Sequence, residues 1–242
     1  MIYEYKHTGE TTEEFAERIK EKHNAKHVAI CGKLDPMARG FTLILLDEQR
    51  KQMDRHLNRD KTYRFSLMIG IKTTSDDIMG SIKDISTKTD KIPVIIDFIH
   101  DYIRNQKTQK FHPYSAKRLN IDGVNKPLHY WENMNMLNYQ ILPEKSINVN
   151  SLKIIHKDSF DFGVYRNTVL RLLNKTSNKS RNIFNIEQIE DCWRNIEFSE
   201  DIHYIDIEMN VTSGYYIRMI PYYLYFMLGI PSHIFDISRI SG

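Results

Sequence analysis

Cysteine is scarce: Cys31 and Cys192 are the only two in 242 residues, and they form no CxxC pair. A disulfide framework or a structural zinc site is therefore not expected, and a reducing compartment is the default. Long apolar runs are missing too. The longest, Ile220 to Ile230, contains Pro221 and Gly229 and is too short to span a bilayer, so it reads as a buried helix. No charged-then-apolar leader opens the chain, because Glu4, Lys6 and Glu10 interrupt the first ten residues; a cytoplasmic location is expected. Phosphate-loop, dinucleotide and zinc-protease signatures are all absent, as is the GxSxG elbow.

A strong excess of charge of one sign is also lacking, since the net charge is only +3. The local pattern says more. No acid occurs between Asp101 and Asp122, where Arg104, Lys107, Lys110, Lys117 and Arg118 fall. None occurs between Asp161 and Glu187, where Arg166, Arg171, Lys175, Lys179 and Arg181 fall. Such stretches suit phosphate contact, although a solvated face would read the same way.

What is present is an ordinary soluble balance, 41% hydrophobic and 27% charged, long enough to bury a sizeable core. One domain over residues 1–242 is expected. Thr11 and Glu14 make a capping box, and Phe15, Ala16 and Ile19 an apolar stripe, which predicts a helix from Thr12 to His23. His23 and His27, four apart, read as a surface pair rather than metal ligands. Residues Gly32 to Gly40 form a loop in which Pro36 turns Asp35 away from helical geometry, and Phe41 to Leu46 reads as a buried strand. Thr62 to Ile71, Asn148 to His156 and Tyr204 to Val211 read as strands. Ile92 to Ile103 and Tyr216 to Leu228 read as helices. The polar stretch from Asn174 to Asn185 reads as a mobile loop. The class is α+β, with a mixed, largely antiparallel central sheet flanked by helices and loops.

An isolated Asp-Pro is ordinarily just a turn. The run Gly32-Lys33-Leu34-Asp35-Pro36-Met37-Ala38-Arg39-Gly40, however, resembles the GxLDPxAxG signature of the TruB-type pseudouridine synthases. Further matches follow in the family's order. Lys6, Gly9 and Thr11 resemble its KPxGxTS opening, and Lys61-Thr62-Tyr63 its KxY strand. Thr74, Asp76 and Gly80 resemble its TxTxDxxG turn, and Gln109, Pro113 and Tyr114-Ser115-Ala116 its QxPPxYSA segment. Gly214 to Arg218 resembles GTYIR, and Arg239 the closing arginine. Each match alone is weak; six in order are specific.

The resemblance implies a pseudouridine synthase fold and isomerisation of uridine to pseudouridine in RNA, with the T-loop uridine of tRNA as the target. It implies Asp35 as nucleophile, Arg218 as its ionic partner and Tyr63 as the ring stacked on the flipped base. That assignment agrees with the chemistry, because a base is reached only once it leaves its stack, and a guanidinium favours the ionised carboxylate. Lys6, Lys33, Lys61, Tyr114, Lys117, Arg118 and Tyr216 are the implied substrate contacts. No metal and no organic cofactor is implied. The implied partner is structured RNA, a tRNA T arm, bound by a monomer with no membrane association.

Departures from the pattern are local. Ile30 stands where the family has a histidine that holds the opened RNA loop, and one reading has Ile30 wedging apolar surface there instead. His7 and His112 replace prolines, and Val211-Thr212 replaces Cys-Ser. Residues 158–200 match nothing in the family, and their basic composition makes them a candidate RNA-contacting insertion. The PUA domain that commonly follows is not expected. Two other readings stay open: a TruB-like RNA chaperone without catalysis, and a synthase acting on ribosomal or messenger RNA.

Overall fold

The computed structural model describes residues 1–86, 91–198 and 200–242. Strand β1 (Ile2–Lys6) leads into helix α1 (Thr12–His23), β2 (Val28–Cys31) and β3 (Arg39–Leu46). A short helix α2 (Met53–Leu57) precedes β4 (Lys61–Ile69), β5 (Ile71–Thr73) and β6 (Ile82–Ile85). Helix α3 (Ile92–Phe98) then runs on for one wider turn, closed by the Arg104 amide donating to the Ile99 carbonyl at 3.0 Å. Next come β7 (Thr108–Lys110), the hairpin β8 (Arg118–Ile121) and β9 (Val124–Pro127), α4 (Leu128–Asn133), β10 (Glu144–Ser146) and the long β11 (Val149–Phe160). Helices α5 (Phe162–Leu173), α6 (Asn178–Ile183) and α7 (Ile186–Asn195) separate β11 from β12 (Ile202–Val211). Helix α8 (Met219–Leu228) and β13 (Ser232–Ser241) complete the chain.

The central sheet has seven strands in the order β1-β3-β13-β4-β12-β11, with β2 on the other side of β3. All its pairings are antiparallel except that of β13 with β3. The parallel contact is tight: a Cβ on Gly40, whose φ is +137°, would come 2.3 Å from the Arg239 carbonyl oxygen. Only glycine allows the two strands to approach there. This one contact brings the loop before β3 beside the last strand.

One face of the sheet buries Phe65, Leu67, Ile205, Ile207 and Ile234 against Ile95, Ile99 and Leu224 of the flanking helices. A second apolar cluster is built by the stretch between β11 and β12. Phe162, Tyr165, Val169, Leu173, Ile186, Ile189 and Trp193 close over Met68, Ile71 and Ile78. Met37, two residues from Asp35, is buried in the same cluster, so α5 to α7 support the loop that carries the carboxylate. Each such apolar side chain contributes about 1.5–3 kcal/mol on burial. No helix among the described residues is long and apolar enough to cross a membrane.

The expected mobile loop over 174–185 is instead largely ordered secondary structure: α6 occupies Asn178–Ile183 and Ser180 is buried. Its polar side chains have partners far away in sequence. The Ser180 hydroxyl donates to Glu14 Oε1 at 3.0 Å, and the Ser177 hydroxyl donates to the same oxygen while also capping α6. Glu14 meanwhile completes the Thr11 capping box of α1, so one carboxylate joins two helix starts. Gly9 makes the same junction possible from below. Its φ is +90°, and a Cβ there would sit 2.8 Å from the Lys175 carbonyl oxygen.

His23 is not half of a histidine pair: its Nε2 lies 2.6 Å from Glu4 Oε1, which also receives Lys22. Ile30 is buried with Phe15, Ile19 and Ile44 under α1, where α1's apolar stripe seals it. It is not available as a wedge.

Candidate active site

Asp35 sits at a turn closed by the Ala38 amide donating to the Asp35 carbonyl at 3.0 Å. Lys6 holds this turn from beneath. Its ammonium donates to the carbonyls of His7, Pro36 and Ala38 at 3.1, 3.0 and 2.8 Å, and its side chain is buried. Burial pulls its pKa down to about 8. An ammonium has three protons, and all three are taken by backbone. Lys6 is thus a brace for the loop and not the substrate contact the sequence suggested.

Arg218 lies just before α8 with its side chain 5% exposed, and it joins four segments of chain. Its Nε donates to Asp35 Oδ2 at 2.8 Å, Nη1 to the Ser75 carbonyl at 2.9 Å, and Nη2 to the Tyr114 carbonyl at 3.1 Å. Burial opposes the charge, but Asp35 and then Asp77 outweigh it and raise its pKa above the ordinary value. The planar fork explains why arginine is required: three acceptors in different directions are met by one rigid group.

Asp77 is a site residue that the motif reading missed, having taken Asp76 as the turn's acid. Counting three residues back from Gly80, as DxxG requires, gives Asp77. Its Oδ2 lies 3.7 Å from Arg218 Nε, and the Ser75 hydroxyl donates to its Oδ1 at 2.5 Å. Burial pushes its carboxyl up, with Arg218 opposing. The two carboxylates therefore differ in access. Asp77 is 7% exposed and Asp35 39% exposed, so only Asp35 offers an open oxygen.

Asp76 has a different part. It adopts a left-handed backbone with φ of 62°, pairs with the buried Lys72, and accepts from His112 Nε2 at 3.0 Å. His112 Nδ1 in turn accepts the Tyr114 amide at 3.1 Å and lies 3.5 Å from Arg218 Nη1. Burial first, and then Arg218, lower the His112 pKa to about 4, so the ring is neutral with its proton on Nε2. Lys72, Asp76 and His112 form a buried polar chain behind the guanidinium. The sequence signalled it only as a histidine in place of a proline.

In front of Asp35 opens a cleft of about 770 Å³. Tyr63, Lys33, Lys61, Tyr114, Tyr216 and Arg218 all line it together with Asp35. Tyr63 is 8% exposed and belongs to the core as well as to the cleft wall. Burial raises its phenol pKa, and Arg239 hydrogen-bonds it. Arg239 also donates to the carbonyls of Phe41 and Gly32 at 3.0 and 2.9 Å, so it ties Tyr63 to both ends of the loop. Gln109 fixes Tyr216 by a pair of bonds, accepting its amide at 2.8 Å and donating to its carbonyl at 3.2 Å. Lys61 is 5% exposed and donates to the Arg59 carbonyl at 2.7 Å; burial lowers its pKa to about 8.

Two of the expected contacts lie outside this cleft. Lys117 is exposed with its ammonium 4.9 Å from the Phe111 ring, and Arg118 is turned back on Asn125 across the β8–β9 hairpin. The basic character of residues 158–200 is also partly neutralised. Arg181 pairs with Glu190 at 2.9 Å, and Arg194 with Glu190 and Asp191 at 3.0 Å each. Ser199 of that segment lies outside the described residues.

A mixed sheet thus carries an accessible carboxylate, held by a buried guanidinium in a cleft lined by aromatic rings. The model of the TruB family pseudouridylate synthase N terminal domain matches residues 20–166. The chain belongs to that family. A tRNA pseudouridine synthase B of Mycoplasma mobile is 27% identical over 222 residues, which cover 81% of this chain and 74% of that protein. One of Aquifex aeolicus is 30% identical over 114 residues, covering 46% of this chain and 38% of that protein. Among solved structures, an H/ACA RNP bound to a substrate RNA containing 2'-deoxyuridine aligns over 97% of this chain and 44% of that chain. Its identity is 14% and its TM-score 0.48.

Proposed function

We propose that this protein isomerises uridine to pseudouridine in tRNA, at the T-loop uridine, with Asp35 as nucleophile. The observation that carries the reading is the 2.8 Å bond from Arg218 Nε to Asp35 Oδ2 at the floor of an open cleft. The reaction breaks the bond from the sugar to N1 and makes one to C5, so no atom is gained or lost. The protein must evert the nucleotide, attack its sugar or its ring with a fixed carboxylate, and hold the freed ring while it turns. Tyr63 provides the stacking surface, a contact of about 1–3 kcal/mol in single-stranded nucleic-acid sites. Arg218 aims Asp35 and balances its charge. Lys33, exposed at the cleft, is placed for phosphate, and Lys117 and Arg118 extend that contact along the β8–β9 hairpin. The enzyme works as a monomer in the cytoplasm, and its segment from about residue 158 to 200 departs from the family pattern. The names of the relatives and the order of the motifs support the choice of tRNA.

Asp35→Asn keeps the shape of the loop, since Lys6 and the Ala38 amide hold backbone and not the carboxylate. It is expected to fold as the parent, to bind tRNA, and to form no pseudouridine. Carbodiimide adduct mapping reads the outcome, and adducts at the parent rate would refute the assignment. Adducts in the parent reaction also exclude a chaperone, which leaves the base unchanged.

A further inference from the structure

We propose that the corner between α6 and α7 is a second base-binding wall of the cleft, and that Phe184 stacks an unpaired base neighbouring the target uridine. The proposal rests on the reading of the cleft as a pseudouridine synthase site and extends it to the nucleotide beside the one modified.

The stretch between β11 and β12 has no match among the family motifs, yet its corner reaches the catalytic cleft. Ile183, Phe184, Asn185, Gln188 and Ile189 line the same cavity as Asp35 and Tyr63. Three observations define what this wall would take. First, it carries no charge, whereas the charged lining residues Lys33, Asp35, Lys61, Asp77 and Arg218 all come from other segments. Phosphate would be met by the cations elsewhere, so this wall faces something uncharged. Second, Ile183 is 62% exposed and Phe184 37% exposed, and among the described residues no aromatic ring packs on Phe184. A free aromatic face beside exposed amides is how proteins take an unstacked base. The side chains of Asn185 and Gln188 are exposed at the cleft, that of Asn185 makes no cap bond to α7, and an amide can serve as both donor and acceptor toward a base edge. Third, the cleft of about 770 Å³ is several times the size of one pyrimidine ring, so an everted uridine over Tyr63 leaves room against the corner.

The corner is also fixed in advance. Arg181 on α6 pairs with Glu190 on α7 at 2.9 Å, which spans the turn, and Ile186, Ile189 and Trp193 anchor α7 in the core. Asn185 holds the turn with φ of 52°. A ring on a braced corner pays little ordering cost when it meets a base. Such a contact is made before and during the reaction alike, so its loss raises KM and not the chemical barrier.

The test uses the full chain and a stem-loop RNA with the target uridine in its loop and 2-aminopurine at each adjoining loop position in turn. Wild type is expected to change 2-aminopurine fluorescence at one adjoining position. Phe184→Ala is expected to lose that change and to raise KM about tenfold with kcat within about twofold. Phe184→Trp is expected to restore both. Phe184 is on the surface, and equal thermal melts of the variants exclude a folding effect. Unchanged KM and fluorescence in Phe184→Ala, or a fall in kcat at constant KM, overturns the proposal while leaving the catalytic reading intact. A Phe184-dependent fluorescence change in a wild type that forms no pseudouridine sinks the catalytic reading and upholds the wall. No binding of this RNA by wild type overturns both.

Discussion

Arg218→Met is expected to abolish pseudouridine formation and to lower stability by about 3–5 kcal/mol, the usual cost of removing one partner of a buried ion pair. The loss of activity follows from geometry. With the fork gone, no other donor among the described residues aims Asp35, and the carbonyls of Ser75 and Tyr114 lose theirs. The loss of stability comes mainly from Asp77, which is 7% exposed and would be left without its guanidinium. Its carboxyl is already pushed up by burial, so protonation would relieve part of the cost. Arg218→Lys separates the two effects. An ammonium keeps the charge near Asp77 but cannot serve three acceptors in a plane. It is expected to recover most of the stability while turnover stays roughly a hundredfold or more below the parent. Urea unfolding followed by tryptophan fluorescence, with turnover on tRNA alongside, measures both. Full activity in either variant would remove Arg218 from the site.

Acid is expected to destabilise the protein well before most carboxylates titrate, and two buried histidines are the reason. His112 and His233 are both fully buried, and burial lowers each pKa from 6.5 to about 4. His233 is locked as a neutral ring, with Nδ1 2.7 Å from the Ile71 carbonyl and Nε2 2.6 Å from the Tyr165 hydroxyl. Between pH 6.5 and about 4 the unfolded chain binds protons that the folded chain refuses. Stability is therefore complete above pH 6.5 and falls as pH drops through that window, by up to about 3 kcal/mol for each ring. Below it Glu14 adds a second loss. Its pKa is lowered to about 2 by hydrogen bonds from Ser177 and Thr11 that outweigh its partial burial, so its contribution disappears between pH 4.5 and 2. Urea midpoints at pH 7 and pH 4.5 check the first window. The His112→Gln and His233→Gln variants should each flatten the fall, and a flat parent profile would contradict it.

The parts of the site that could be read from the sequence are those held by short, contiguous motifs. The glycines and proline around Asp35 mark only a turn; the loop's resemblance to GxLDPxAxG, and that of Gly214 to Arg218 to GTYIR, single out the two residues. Tyr63 is legible only through the resemblance of Lys61-Thr62-Tyr63 to the family's KxY strand, since a tyrosine on the apolar face of a strand otherwise reads as core. What stayed hidden depends on contacts between distant segments. The sequence from Asn174 to Asn185 is polar enough to read as a loop; Ser177 caps α6 locally, but the partner that holds Ser177 and Ser180 against the rest of the fold is Glu14, more than 160 residues away. A buried lysine looks like a phosphate ligand until three carbonyls converge on it, as they do on Lys6. Ile30 had an apolar side chain suited to a wedge or to a core, and α1 decides for the core. Asp76 and Asp77 are adjacent and chemically identical; the spacing to Gly80 picks out Asp77, but that Asp76 serves the histidine behind the guanidinium shows only in the fold.

The structure of Asp35→Asn bound to a tRNA stem-loop tests the central claim most directly. The target uridine is expected to stand outside its stack in the cleft, its ring on Tyr63 and its sugar or ring carbon within reach of residue 35. A uridine still stacked in its loop, with Tyr63 covered by protein and residue 35 facing only solvent, would contradict the account.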